Sequence, residues 1–128
     1  MGKKFVFLVV VLSCLLVTSI PLFAHHGTAA YDTTKTVTVN GTVTDFQFSN
    51  PHVQLSFDVK NEQGKVEKWQ AELTSPNHLA RTGWNRTSLK PGYAITVTGF
   101  RAKTGANTMW IVKITANGQE LKLEPSES

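Results

Sequence analysis

Apolar and polar residues alternate along most of the chain after residue 35, which predicts β-strands. In the segment 36–48 three valines alternate with threonines, and these are Val37, Val39 and Val43. Gly41 falls on the same alternating positions as these valines, which have odd numbers. The next apolar residues, Phe46 and Phe48, fall on the even-numbered positions instead. A glycine followed by such a switch indicates a bulge or a sharp bend. The pattern therefore predicts one long, bent first strand.

Two more strands and a hairpin turn follow directly. Residues 53–59 alternate strictly, with apolar side chains at Val53, Leu55, Phe57 and Val59. The segment NEQG at 61–64 is typical of a turn. Residues 65–73 then return as a third strand with Trp69, Ala71 and Leu73 on one face. The first three strands are therefore predicted to form an antiparallel meander.

The segment after the third strand predicts a short helix. Ser75 suits the N-cap, Pro76 the first helical position and Gly83 the end. These signals predict about two helical turns. Leu79 and Ala80 are expected on the buried side.

Two further strands and a polar tail complete the chain. The fourth strand carries Ile95 and Val97. The fifth, 108–116, is apolar on both parities, so both of its faces are expected to be covered. The polar segment 117–128 is predicted to be a frayed tail, with Leu121 and Leu123 adding at most a short pairing.

This order of elements predicts an all-β fold, a small five-stranded OB-like barrel with one short helix between strands 3 and 4. An open β-sandwich of similar strand count is the alternative. The domain organisation follows as a signal peptide at 1–24, an N-terminal arm at 25–35, the barrel at 36–116 and the tail at 117–128.

The first 24 residues have the pattern of a secretory signal. Lys3 and Lys4 precede an apolar run, Pro21 breaks it, and Ala24 offers a small residue for cleavage. The protein is therefore expected to be periplasmic or secreted, and not membrane-bound after cleavage. The uncharged run is long enough to span a bilayer, so an uncleaved anchor is one alternative. Lipidation at Cys14 is another.

Cleavage after Ala24 changes the composition of the protein. The mature chain has no cysteine, which excludes disulfides. Loss of Lys3 and Lys4 leaves 11 of the 13 basic side chains against 9 acidic ones. These basic residues are scattered, so no nucleic-acid partner is expected.

Cleavage would also make His25 the first residue of the mature protein. Its α-amine, with a pKa near ~8, and its imidazole can then chelate one metal ion, and nitrogen ligands favour Cu(II), with Zn(II) second. His52, at the joint between the first two strands, is the candidate for a third nitrogen. His26 and Asp32 are expected in support, while His78 is a weaker candidate. The alternative is that these histidines are solvated arm and turn residues.

Catalysis has less support in the sequence than binding. No nucleophile with a base beside it and no glycine-rich phosphate loop is recognisable. The strand carboxylates are expected to be solvent-facing charges, and these are Asp45, Asp58, Glu67 and Glu72. The protein is therefore predicted not to be an enzyme, with copper redox chemistry as the one enzymatic alternative.

A second functional hypothesis comes from the aromatic residues. OB-folds can bind sugars or bases on exposed aromatic rings. Trp84 is the tryptophan expected to expose a face, with Arg81, Arg86 and Arg101 forming a basic groove around it. Such a groove predicts a small sugar, peptide or envelope component as ligand. A purely structural role beside another envelope protein is the third hypothesis, and the oligomeric state is open.

The motifs AHH, YD, NPH, SPNHLARTGW and LKPG occur in this order. Together they resemble a family of small exported bacterial proteins known only as a domain of unknown function, over nearly the whole chain. The resemblance implies export and a compact β fold, and supplies no activity. Gly27 and Tyr93 depart from the family pattern, which has serine and aspartate there. The exposed histidine also looks like that of small periplasmic copper carriers.

Overall fold

The computed structural model describes residues 27–125, in which six strands and one short helix alternate along the chain. In chain order the elements are β1 (Val37–Gln47), β2 (Gln54–Lys60), β3 (Val66–Glu72), α1 (Pro76–Ala80), β4 (Ala94–Arg101), β5 (Thr108–Ala116) and β6 (Gln119–Leu121). This part of the chain has no helix long and apolar enough to cross a membrane.

The strands close into a barrel. Their hydrogen-bonded order is β3-β2-β1-β4-β5-β6, and β3 also pairs with β5. Neighbours are antiparallel except β3 and β5, which pair in parallel from Gln70–Thr108 to Glu72–Trp110. The predicted meander and OB-like barrel are confirmed. Because the barrel is closed, the open sandwich is excluded.

β1 is shared between the two halves of the barrel. Its first half pairs with β4 and its second half with β2. The predicted irregularity is confirmed as a bulge between Val43 and Asp45. Gly41 serves a different purpose, because a Cβ atom there would lie 2.7 Å from the carbonyl oxygen of Asp58. Glycine thus permits the close approach of β1 to β2.

β5 differs from the prediction that both of its faces are covered. Its buried positions change parity along the strand, being Met109 and Ile111, then Ile114 and Ala116. The pairs Thr98–Lys113 and Gly99–Ile111 leave Val112 as an extra residue, and its side chain is 41% exposed. The apolar residues on both parities therefore reflect a β-bulge, and the prediction of two covered faces is wrong.

The short helix closes one end of the apolar core. The Ser75 hydroxyl caps it by accepting a hydrogen bond from the backbone N–H of His78, and Pro76 stands at its start. Leu79 is fully buried, as predicted. Ala80 is exposed, which is a wrong prediction, because the helix is only five residues long and turns this side chain to the surface.

The C-terminal segment packs against the helix and its following loop. The indole N–H of Trp84 donates a hydrogen bond to the carbonyl oxygen of Lys122 at 2.7 Å. The imidazole of His78 lies 2.8 Å from the Glu124 carboxylate. The short pairing at Leu121 is confirmed by β6. The prediction of a frayed tail is wrong as far as residue 125, because these side chains hold the backbone.

Gly99→Ala tests the packing between β4 and β5. The new methyl group would collide with the backbone carbonyl of Trp110 inside the barrel wall. We expect the free energy of unfolding to fall by about 2 kcal/mol or more, measured by urea denaturation. Gly27→Ala is the control, because no atom lies within 4 Å of a Cβ there. Equal stability of the two variants would contradict this account of the bulge.

Candidate functional site

The N-terminal arm is docked on the barrel. Tyr31 forms an antiparallel bridge with Ala102, just beyond β4. The backbone N–H of Asp32 donates to Arg101, and that of Lys103 donates to Ala30, at 2.9 and 3.0 Å. The Tyr31 side chain is only 5% exposed. The arm is therefore held by backbone pairing and by one buried aromatic ring, which the polar sequence around it does not predict.

The ring of Trp110 connects the docked arm to the joint between β1 and β2. Its centroid lies 6.2 Å from that of Tyr31 and 5.4 Å from that of His52. The His52 ring meets it edge-on, with an interplanar angle of 87°. Tyr31 and His52 therefore lie on one aromatic platform although 20 residues separate them in sequence.

Glu72 is the carboxylate beside His52. Its Oε2 atom lies 3.8 Å from His52 Nδ1, and the two side chains are 31% and 28% exposed. Two strand pairings place it there: Glu72 is opposite Gln54 on β2 and opposite Trp110 on β5. The prediction that Glu72 is simply a solvent-facing charge is therefore incomplete. Counting the register back from the 61–64 turn could have placed it near His52.

The Glu72 carboxylate also interacts with Tyr31. Burial of the phenol, the nearby charge of Glu72 and hydrogen bonding with Glu72 together raise the pKa of Tyr31 to about 12. Tyr31 is thus a neutral donor over the physiological range. His52, Glu72, Tyr31 and Trp110 form one cluster, which we call the His52 cluster. Of its members, the sequence singled out only His52 as a site residue.

Asp32 lies at a different place from the His52 cluster. Its carboxylate accepts hydrogen bonds from the hydroxyl and the backbone N–H of Thr34, which lower its pKa. It lines a cavity of about 270 Å³ together with Lys35, Arg101 and Lys103. The structure therefore gives Asp32 a role in the turn before β1, and no contact with His52 is found within residues 27–125.

The remaining predicted metal ligands are not gathered with His52 in the described residues. His25 and His26 lie outside that range. His78 pairs with Glu124 on the helix side of the barrel. Between residues 27 and 125 no three His, Cys, Asp or Glu side chains are grouped so that they could hold a metal ion. The described part of the chain thus offers the His52–Glu72 pair, and further ligands would have to come from outside it.

The predicted aromatic groove differs from the observed surface. Trp84 is 5% exposed and packs against Phe46, so the expectation of an exposed face is wrong. Arg81 and Arg86 are exposed, but Arg101 lies over Trp69 instead. The guanidinium of Arg101 also donates to carbonyl and amide oxygens of the β4–β5 loop. Trp84 lies in the loop after the helix. Its indole is buried because the C-terminal segment around Lys122 covers it.

Comparison with known proteins supports the fold. Residues 12–111 match a family described as a family of unknown function, DUF6152. No curated protein matches the chain significantly. A mitochondrial single-stranded DNA binding protein of S. cerevisiae, Rim1, has a similar structure, with a TM-score of 0.50 and 10% identity over 66% of this chain and 95% of that one. At that identity the likeness concerns the fold alone.

Another similar structure is the N-terminal domain of the PriB protein from Thermoanaerobacter tencongensis. Its TM-score is 0.45, with 22% identity over 63% of this chain and 93% of that chain.

Tyr31→Phe is expected to change the alkaline stability of the protein. A tyrosine in the unfolded chain ionises near ~10, whereas Tyr31 in the folded protein has a pKa of about 12. The unfolded state therefore loses its proton first, and the free energy of unfolding should fall by roughly 2 kcal/mol as the pH rises across this interval. Tyr31→Phe should not show this part of the decrease in the free energy of unfolding.

Urea denaturation of both proteins between about pH 8 and pH 12 measures the difference. Tyr93→Phe, which changes a half-buried tyrosine away from Glu72, is the control. Parallel stability profiles for the wild type and Tyr31→Phe would contradict the account.

Proposed function

We propose that this chain, which belongs to the DUF6152 family of unknown function, is an exported metal-binding module. In this proposal the signal is cleaved after Ala24 and the protein works in the periplasm or outside the cell. His25 supplies its α-amine and imidazole, and His52 supplies a second imidazole. The preferred ion is Cu(II), with Zn(II) second.

The docked arm is the observation that carries the proposal. Tyr31 and His52 contact the same Trp110 ring, so their rings are separated by at most the sum of 6.2 and 5.4 Å. Only six residues lead from His25 to Tyr31. Extended, they span up to about 20 Å. His25 therefore begins within reach of His52, and docking of the arm lowers the entropy lost when both bind one ion.

The chemistry of the ligands favours a borderline divalent ion. An α-amine with a pKa near ~8 loses its proton readily to a metal at neutral pH. Three nitrogen ligands match Cu(II) best among the divalent first-row metals. His26, the next residue, is available as a replacement ligand. Asp32 would act indirectly, since its hydrogen bonds to Thr34 hold the end of the arm.

Charge distribution favours a metal ion over single-stranded nucleic acid as the ligand. In OB-folds the strand 2–3 face is the usual nucleic-acid surface. Here the outward charges of β2 and β3 balance, with Lys60 and Lys68 against Asp58 and Glu72. Within the described residues, the aromatic side chains of these two strands, Phe57 and Trp69, are buried. We therefore propose binding of a metal ion, with catalysis at bound copper as the enzymatic alternative.

The N terminus provides the first test. Protein exported with its own signal is expected to have a mass beginning at His25 and to take up one Cu(II) in native mass spectrometry. A version with one methionine added before His25 should bind at least about tenfold more weakly, because the amine chelate is lost. A C-terminal extension of equal size is the control. Equal affinity of the two N-terminal forms would refute the chelate.

His52→Ala is the second test, with His78→Ala as its matched control. The two imidazoles are similarly exposed, at 28% and 33%, and each lies beside one glutamate. Isothermal titration with Cu(II) should show at least about a tenfold loss of affinity for His52→Ala and little change for His78→Ala. Equal losses in both variants would contradict the assignment of His52.

A further inference from the structure

We propose that a cavity under the C-terminal segment is a binding site for a small apolar molecule that carries a neutral or positively charged polar group. The cavity has a volume of about 170 Å³. It lies where the loop after β3, the helix α1, the strand β5 and the segment after β6 meet. Its lining residues fall between Leu73 and Glu124, within the described part of the chain. The proposal therefore needs neither His25 nor a metal ion.

The apolar walls of the cavity come from the protein core. Leu73, Leu79 and Ile111 are at most 3% exposed. The half-buried side chains of Trp110 and Leu123 complete the apolar lining. Core side chains normally touch each other and leave few gaps larger than a water molecule. A gap of this size forgoes such contacts, and apolar atoms of a ligand would restore them.

The volume of the cavity sets the size of the ligand. An engineered apolar cavity of about 150 Å³ in another protein stays dry and binds benzene. At about 170 Å³, the cavity of this protein has room for one aromatic ring or a branched chain of similar size. A long acyl chain or a fused ring system is too large for it.

Two polar side chains determine which polar group the ligand can carry. Thr74 and Glu124 are the polar members of the lining, and within the described residues no lysine or arginine joins them. A carboxylate on the ligand would therefore meet the charge of Glu124 without a cation of the lining to offset it. An amine or a hydroxyl group can instead donate a hydrogen bond to Glu124 or to the hydroxyl oxygen of Thr74.

The C-terminal segment forms the outer wall and can open without loss of the barrel. Its first part is held by the pairing of β6 with β5 and by the hydrogen bond from the Trp84 indole to the carbonyl oxygen of Lys122. Its end is held by the contact of Glu124 with His78, whose side chains are 74% and 33% exposed. Contacts between exposed side chains open at low cost, so a ligand can enter at this end.

Benzyl alcohol, benzylamine and benzoate are the probes, because they share one ring and differ in their polar group. They are titrated, without added metal, into isotope-labelled protein exported with its own signal, and backbone amide NMR shifts are followed. We expect saturable shift changes in the segments 73–79, 110–111 and 123–124. Benzoate should bind at least about fivefold more weakly than the other two, because its charge repels a largely exposed carboxylate.

Ile111→Phe tests the location of the site, and Ile114→Phe is its matched control. Both isoleucines are buried on β5, at 3% and 0% exposed, but Ile114 is not part of the lining. The larger ring at position 111 has the cavity beside it, so benzyl alcohol binding should be lost with little change in the urea midpoint. The ring at position 114 has no such space and should lower the midpoint further. If circular dichroism shows that Ile111→Phe does not fold, Leu79→Phe fills the cavity from the helix.

Glu124→Gln tests the choice of polar group, and Glu120→Gln is its matched control. Both carboxylates lie on the C-terminal segment, at 74% and 59% exposed, and each is beside one basic side chain. Glu120 does not line the cavity. We expect benzoate to bind Glu124→Gln about fivefold more tightly than it binds the wild type, and to bind Glu120→Gln as it binds the wild type.

The results that would overturn the proposal are distinct from those that concern copper. If no probe gives saturable shifts around the cavity, or if the filled variants bind benzyl alcohol as the wild type does, the cavity is a gap in the packing and the proposal is wrong. Equal affinity for benzoate and benzylamine would overturn the assignment of the polar group. Because no metal is present, none of these outcomes depends on whether the protein binds Cu(II).

Discussion

The parallel pairing between β3 and β5 is the constraint on which the rest of the structure depends. It is short, running from Gln70–Thr108 to Glu72–Trp110, and it turns a meander and a hairpin into a closed barrel. Its last pair places a carboxylate beside a large aromatic ring. That ring then supports both His52 and the docked arm through Tyr31. The pairing that closes the barrel thus also brings the members of the His52 cluster together.

Much of the fold could be predicted because the strands have one buried face. Leu55, Phe57, Trp69 and Ala71 occupy the core positions that simple alternation assigns to them. Alternation fails at Val112, because a bulge shifts the parity of β5 without a glycine or proline to mark it within that strand. Local bulges depend on how two distant strands fit together, and a single strand sequence does not contain that information.

The site was harder to predict than the fold. His52 could be singled out by its chemistry and its position after a strand, whereas Glu72 follows the same alternation as any solvent-facing charge. Its significance comes from the register on both of its sides. Trp84 is buried against expectation for a related reason, because the segment that covers it, through Lys122, is polar and comes 38 residues later. A polar segment can cover an indole ring when one of its backbone carbonyl oxygens accepts a hydrogen bond from the indole N–H.

The backbone pairing of the arm also covers a short stretch of barrel edge. At the end of β4, the backbone of residues 30–32 pairs with the backbone of residues 101–103. Without the arm, these groups would form a short exposed edge, and such edges recruit strands from other chains. The docked segment 30–32 thereby blunts a point at which the barrel could otherwise associate with another chain.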